Sequence, residues 1–442
     1  MTSNARSGPE ASAASIAMKK PLEQPSLPWR MSSSIVLGAT CMLSRGFLYG
    51  LNTVETKGLD KFLEILDKRK DVDKRERGLI TVTLRSNGNS LVVVAFRMDD
   101  PLMWGILPAS YAFNPTNLRW GLGAHDISLS TFFSLGQVLP THRASHSPHG
   151  GAFQATISQA IRLLSAQPAG SRQPGPLDAA SISSGTNDVA DPFTAGDGLT
   201  YSTDGTDSIK APSVYAQNRM AWVHIFPEGM IHQHPSMTMR YFKWGVARLI
   251  LESEPMPDML PMFIDGTQNI MSEARTFPRF LPRGGKKFHV TFGELLDMEA
   301  KFGDLRRKWR ELVRQDQQRA LGAKSSNSPW ASISSLWSSK NPSTPTILSG
   351  DSSSELQQHD PTAIQHQRSG GQLAMGELSE ELKYGAEAQA LRIEVARRVR
   401  DEIEKLRVGR GYPEDDPKLG LAETWAKEPA DARRLKSNAD GS

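Results

Sequence analysis

Short apolar runs recur along the first two thirds of the chain, each about the length of a strand. GLITVTL, SLVVVAF, AWVHIF, MLPMFI and KFHVTF combine β-branched and aromatic residues over such stretches. Between them the period changes. Phe242, Val246, Leu249 and Ile250 recur at i, i+4, i+7 and i+8, which predicts a helix with one buried face. Ile157, Ala160, Ile161 and Leu164 in GGAFQATISQAIRLLS repeat the pattern. Strands alternating with helices from Leu51 to about Leu296 predict an α/β fold, expected as a mostly parallel twisted sheet flanked by helices.

Two polar stretches break this pattern. Residues 166–218 are dominated by Gly, Pro, Ser, Thr, Ala and Asp, and their scarce large apolar side chains predict a disordered insertion inside one domain. Residues 324–371 are similar, with Trp330 and Trp337 read as aromatic residues scattered in a linker. Leu391, Val395, Val399 and Ile403 then form a stripe at helical spacing with a mixed-charge outer face, which predicts a C-terminal amphipathic helix. Docking on the main domain is the default for it, and a membrane-surface position the alternative. The expected organisation is a disordered lead (1–27), a membrane-interfacial anchor (28–50), and a main domain (51–300) interrupted at 166–218. A low-complexity linker (301–375), the C-terminal helix region (376–426) and a disordered tail (427–442) follow.

The anchor rests on residues 31–44, a charge-free run of 14 residues closed by Arg30 and Arg45. That is shorter than the roughly 20 apolar residues of a spanning helix, so an interfacial or re-entrant element is expected, with Trp29 and Tyr49 at headgroup depth. A buried core helix is the alternative. No continuous apolar stretch precedes it, so a cleaved secretory signal is not expected, and Glu10 and Glu23 fit a mitochondrial transit peptide poorly.

Lys and Arg outnumber Asp and Glu by 52 to 48, for a net charge of +4. With no strongly basic block, this excess suits an anionic membrane surface rather than sequence-specific nucleic acid. A single cysteine, Cys41, excludes an intramolecular disulfide framework and thiol-rich metal motifs. His232 and His234, in IHQHPS, are the nearest approach to metal-ligand spacing, and a solvated loop is the simpler reading. Neither a metal nor another cofactor is expected.

Asp99 and Asp100 stand out, because a carboxylate pair before proline and an apolar run usually serves geometry or chemistry. In order along the chain come MDDPLMWGILP, FFSLGQVLPTHR with GGAFQATISQAIRLL, WVHIFPEG, and MLPMFIDG. Together these resemble the four motif blocks of the glycerolipid acyltransferases, and in particular the branch that moves acyl chains between phospholipids and lysophospholipids. The resemblance spans roughly residues 26–165 and 219–296. It implies the acyltransferase fold and a reaction that needs no acyl-CoA, because a phospholipid is the donor. Cardiolipin and monolysocardiolipin are the implied substrate pair, and a mitochondrial membrane facing the intermembrane space is the implied location.

The family's first block pairs a histidine with an aspartate across four intervening residues. A near-neutral imidazole can take the proton of an attacking alcohol while the carboxylate orients it. Here the aspartates are Asp99 and Asp100, but Val94 holds the histidine's place, and 16 residues separate Val82 from Asp99. A misplaced exon boundary and a divergent protein both account for that segment. His125 beside Asp126 is no replacement on sequence grounds, since adjacent side chains point apart. By resemblance Arg143 holds the glycerophosphate with its planar fork, and Gly136 belongs to the same block. Glu228 positions the acceptor lipid, with Pro227 before it and Gly229 permitting close backbone approach. Met230 stands where a basic or hydroxyl residue is usual. Arg240, Lys243 and Arg248 read as surface charges, and Leu260 with Pro261 as a wall for the acyl chain. A CoA-dependent lysophospholipid acyltransferase, or a silent lipid-binding protein lacking the base, are the alternative functions.

Overall fold

The structure, a computed structural model, describes residues 24–84, 103–125, 130–144, 147–169, 199–229, 234, 236–270, 282–326, 376 and 378–426. Nine strands are described: β1 (Thr53–Lys57), β2 (Leu79–Val82), β3 (Gly121–Ala124), β4 (Val138–Thr141), β5 (Thr200–Tyr201), β6 (Ile209–Lys210), β7 (Trp222–Ile225), β8 (Asp258–Asp265) and β9 (Lys287–Phe292). The central sheet has the order β1-β9-β8-β2-β7. β2 runs parallel to both β7 and β8, and β1 parallel to β9. The β3–β4 pair extends this sheet past β7, because Trp120 donates to Trp222 O at 2.7 Å and accepts from His224 N at 2.8 Å. One pairing, β8 with β9, is antiparallel, so the sheet is mixed, with its other pairings parallel as expected. β9 follows β8 and lies beside it, a return that needs no crossover helix.

Alternate residues of the buried strands face opposite layers. Ile80, Val223, Met259 and Phe263 join one core, while Leu79, Trp222, Leu260 and Met262 join a second core on the other face. α1 (Leu27–Leu51) and α2 (Leu59–Lys68) cover the second face, with α3 (Ser130–Leu135) against α1. The first face is covered by α4 (Ala155–Leu164), α5 (Gly245–Glu252), α6 (Met298–Ser326) and α7 (Ala386–Gly409). The three helices expected from periodicity are α4, α5 and α7. All ten residues of α4 are buried.

Several expectations shift. Residues 199–218, assigned by composition to a disordered insertion, form the β5–β6 hairpin and bury Tyr201 and Tyr215, whose rings stack at 5.8 Å. Two buried tyrosines supply the apolar area that composition seemed to lack. The linker expected from residue 301 does not begin there, because Met298, Phe302, Leu305 and Trp309 recur at helical spacing and hold α6 against the core. SLVVVAF, Trp330 and Trp337 lie outside the described residues.

The anchor run is part of a helix of 25 residues, long and apolar enough to cross a membrane by length and composition. One face of α1 is nevertheless packed on the domain through Ser33, Leu37, Gly38, Ser44 and Leu48. At Gly38 a Cβ would sit 2.0 Å from the Phe113 ring, so only glycine admits this contact. Leu27, Met31, Ile35 and Leu43 point away and stay exposed. Trp29 is engaged with the protein, donating to Ala211 O at 3.1 Å beneath the Lys210 ammonium, and Tyr49 remains exposed.

Candidate active site

Because β2, β7, β8, β3 and β4 run in one direction, the segments leaving their carboxyl ends emerge along one edge of the sheet, where ligands of open α/β sheets bind. The segment leaving β7 is Phe226-Pro227-Glu228-Gly229. Gly229 donates to Phe226 O at 3.0 Å and Lys243 to Pro227 O at 2.8 Å, so the turn is fastened to the chain ahead of α5. Gly229 has φ +66, and a Cβ there would meet the Lys243 side chain at 2.8 Å. The left-handed backbone is what favours glycine here, since the mobile end of Lys243 could move aside. Glu228 is buried, and its Oε1 accepts the backbone N–H of Arg240 at 2.8 Å.

The segment leaving β4 carries His142 and Arg143. Gln154 clamps it by accepting from His142 N at 2.8 Å and donating to His142 O at 3.2 Å. The His142 ring stacks on His125 at 4.3 Å, lies 5.9 Å from His149, and shares a hydrogen bond with Thr203 through Nε2 at 2.8 Å. Burial, and then the neighbouring His125, push the His142 pKa below its usual range. Arg143 follows, half-buried, its carbonyl accepting from Ser147 N. The fixed positive charge at this corner is therefore the Arg143 guanidinium, beside an imidazole held toward its neutral form.

Gly136 does not share that corner. It precedes β4 whereas Arg143 follows it, so the strand separates them. Gly136 instead lines a small apolar cleft between the domain and α1, with Val36, Leu37, Cys41, Trp104 and Phe132. Asp99 and Asp100 lie outside the described residues, which resume at Met103. The Arg45 guanidinium donates to the carbonyls of Gly105, Ile106 and Leu107 at 3.1–3.4 Å, and Trp104 packs edge-on against Trp222 at 4.7 Å. Leu260 and Pro261 are core positions of β8 rather than an open wall.

Sequence reasoning missed a buried polar relay on β2 and β7. Trp222 Nε1 donates to Thr81 Oγ1 at 2.8 Å, and Thr81 Oγ1 lies 2.8 Å from His224 Nδ1. Indole can only donate, so the hydroxyl accepts from Trp222 and has its proton available for His224. His224 also meets the Trp104 and Phe226 rings edge-on. The signal was a histidine inside an otherwise apolar strand, four residues before Glu228. Arg240 and Arg248, read from sequence as surface charges, are buried. Arg248 pairs with Glu252 at 2.6 Å and donates to Ala152 O at 3.0 Å and Gly376 O at 2.7 Å, so its cost of burial is offset by carbonyls and a carboxylate. Among the described residues no cluster of His, Cys, Asp and Glu is arranged to hold a metal ion, and the second member of the HQH pair, His234, is exposed while His232 lies outside them.

No family profile matches the chain. Aligned over 415 residues, it is 30% identical to the tafazzin of Saccharomyces cerevisiae, with 90% of this chain and 84% of the yeast protein covered. The chain belongs to the tafazzin family. It is also 27% identical to a taffazin of Dictyostelium discoideum over 257 residues, which cover 56% of this chain and 64% of that one. An N-acylphosphatidylethanolamine synthase of Arabidopsis thaliana is 25% identical over 228 residues, covering 49% and 60%. Tafazzin membership makes the chain an acyltransferase, with phospholipid transacylation in cardiolipin remodelling as its role.

Proposed function

We propose that acyl exchange takes place at the shared carboxyl edge of the sheet. The observation that carries this assignment is the common direction of β4 and β7, which sends the segments bearing Arg143 and Glu228 out along the same edge. The hydroxyl oxygen of a lysophospholipid attacks the ester carbonyl carbon of a donor phospholipid. A C–O bond forms, the donor's C–O bond breaks, and one proton passes from the attacking to the leaving oxygen, with no net redox change and no cofactor. Arg143 holds a phosphate of the lipid with its fork, and Glu228, set by the Arg240 N–H, orients the acceptor beside Pro227 and Gly229. Asp99 and Asp100 serve the proton step, and Gly136 lines the apolar cleft beside α1.

Monolysocardiolipin is the acceptor and cardiolipin the product in this assignment, on a mitochondrial membrane facing the intermembrane space. α1 lies along the interface with its apolar face in lipid. Crossing the bilayer would instead strip its packed face and the Arg45 contacts from the domain.

Val94 favours a second reading, a lipid-binding protein without its base. A misplaced general base costs about 10²- to 10⁴-fold, so CoA-free transfer from phosphatidylcholine to monolysocardiolipin by the chain as written is expected near background. Normal turnover would overturn that expectation. Tryptic mass spectrometry of the native protein separates the causes. Recovery of SNGNSLVVVAFR, residues 86–97, supports the silent binder, and a histidine-bearing peptide leading into DDPLMWG supports the full transacylase.

A further inference from the structure

The loop at residues 236–240 lies between the C-terminal segment and Glu228, and its backbone is held from both sides. Met237 has φ +51, a left-handed conformation that a side chain disfavours and that persists only where its surroundings impose it. The surroundings come from α7 and the chain beyond it. Arg407 donates from Nε to Met237 O at 2.7 Å and from Nη2 to Ser236 O at 3.1 Å. Arg400 donates to Met239 O at 3.1 Å and to Arg240 O at 3.3 Å. Asp415, whose side chain has 0% exposure, bridges both guanidinia at 2.6 and 2.8 Å. Its Oδ2 also accepts the N–H of Met239 at 3.0 Å. On the other side Glu228 accepts the N–H of Arg240. Two consecutive peptide N–H groups are therefore each claimed by a buried carboxylate, one from the C-terminal segment and one from the motif turn.

We infer that Asp415, Arg400 and Arg407 are positioning residues for Glu228, so that the C-terminal segment completes the acceptor-lipid site. The inference rests on the assignment of Glu228 to the acceptor lipid made above. Moving the Met239 peptide shifts the Arg240 peptide with it, because the two share a chain with no intervening residue. The buried charge on Asp415 is what keeps two arginine forks aimed at the loop carbonyls.

The test compares vesicles of phosphatidylcholine alone with vesicles of phosphatidylcholine plus monolysocardiolipin, so that it needs no turnover. Asp415→Asn is expected to leave binding to the plain vesicles unchanged and to cut the lysolipid-dependent gain by about 3- to 30-fold. Deuterium uptake at the Met239 and Arg240 amides should rise with it. Glu228→Gln should lose the same gain. If Glu228→Gln keeps the gain, the role of Glu228 falls. If Glu228→Gln loses it while folded Asp415→Asn keeps it, the positioning role alone falls. Equal loss on both kinds of vesicle by a folded Asp415→Asn protein also overturns the positioning role. Where circular dichroism shows Asp415→Asn unfolded, Arg400→Lys is measured with the same outcomes, since it keeps the charge and loses the fork on the loop carbonyls.

Discussion

α1 and α7 are nearly the same length, 25 and 24 residues, yet they are built inside out relative to each other. α1 turns Ser33, Gly38 and Ser44 inward with Leu37 and Leu48, and shows Leu27, Met31, Ile35 and Leu43 to its surroundings. α7 buries Leu391, Val395, Val399 and Ile403 together with three arginines, and its outer face carries ion pairs such as Arg397 with Glu394 and with Asp401, both at 2.7 Å. Its interior arginines are stable because their donors reach fixed acceptors. Arg392 donates to the carbonyls of Lys383 and Leu382 between the rings of Phe153 and Trp309, each 5.0 Å away, while burial lowers its pKa to about 10. A helix whose exposed face is apolar and whose packed face mixes leucine with small residues suits lipid on its outside, and one that shows charges suits water.

The largest effect that would break the comparison is on α7. Ile403→Ala should cost about 2–5 kcal/mol in urea unfolding if the helix is core, and a surface-bound helix would lose far less. Next comes the outer face of α1, where Leu43→Asp should weaken vesicle partitioning by about tenfold or more, from the roughly 1.5–3 kcal/mol of a buried leucine. Its unfolding free energy should move by less than about 0.5 kcal/mol, as for other exposed positions. A loss of stability instead would mean that α1 is covered by protein. Arg397→Ala on the outer face of α7 should cost under about 1 kcal/mol. The smallest effect is one of pH. Hydrogen bonds from Arg397 hold the Glu394 pKa down at about 2, so its stabilisation is complete above the ordinary glutamate range and fades as pH falls toward 2. Glu394→Gln should flatten the melting-temperature profile between pH 5 and 2, and an unchanged profile would remove this pair from the account.

What could be read in advance followed from physical regularity. The stripe of α7 was legible because its period is strict, and β2, β7, β8 and β9 because buried strands are continuously apolar. β1, TVETK, was not, since as an edge strand it leaves most of its side chains exposed. β3, GLGA, offers almost no side chains to pattern. Arg240, Arg248 and the arginines of α7 misled because arginine is normally a surface residue, and only a folded backbone shows five donors meeting carbonyls. In the site, the four motif blocks marked Glu228, Gly229 and Arg143, whereas the partner of Glu228 is a peptide N–H whose position no side-chain pattern encodes. His142 and His224 were hidden for a related reason: each is defined by neighbours from other strands and loops.

The order in which the chain is made adds a timetable to this architecture. The last strand of the sheet ends at Phe292, and α7, which packs on β8 and α5, closes only when Asp415 has been added. At about 5–20 residues per second, the 123 residues from Gly293 through Asp415 take roughly 6–25 s to synthesise. For that interval the nascent domain presents the unfinished wall of β8 and α5 to whatever is nearby. Its seam is therefore open for a set time, fixed by chain length, before the helix that fills it has been made.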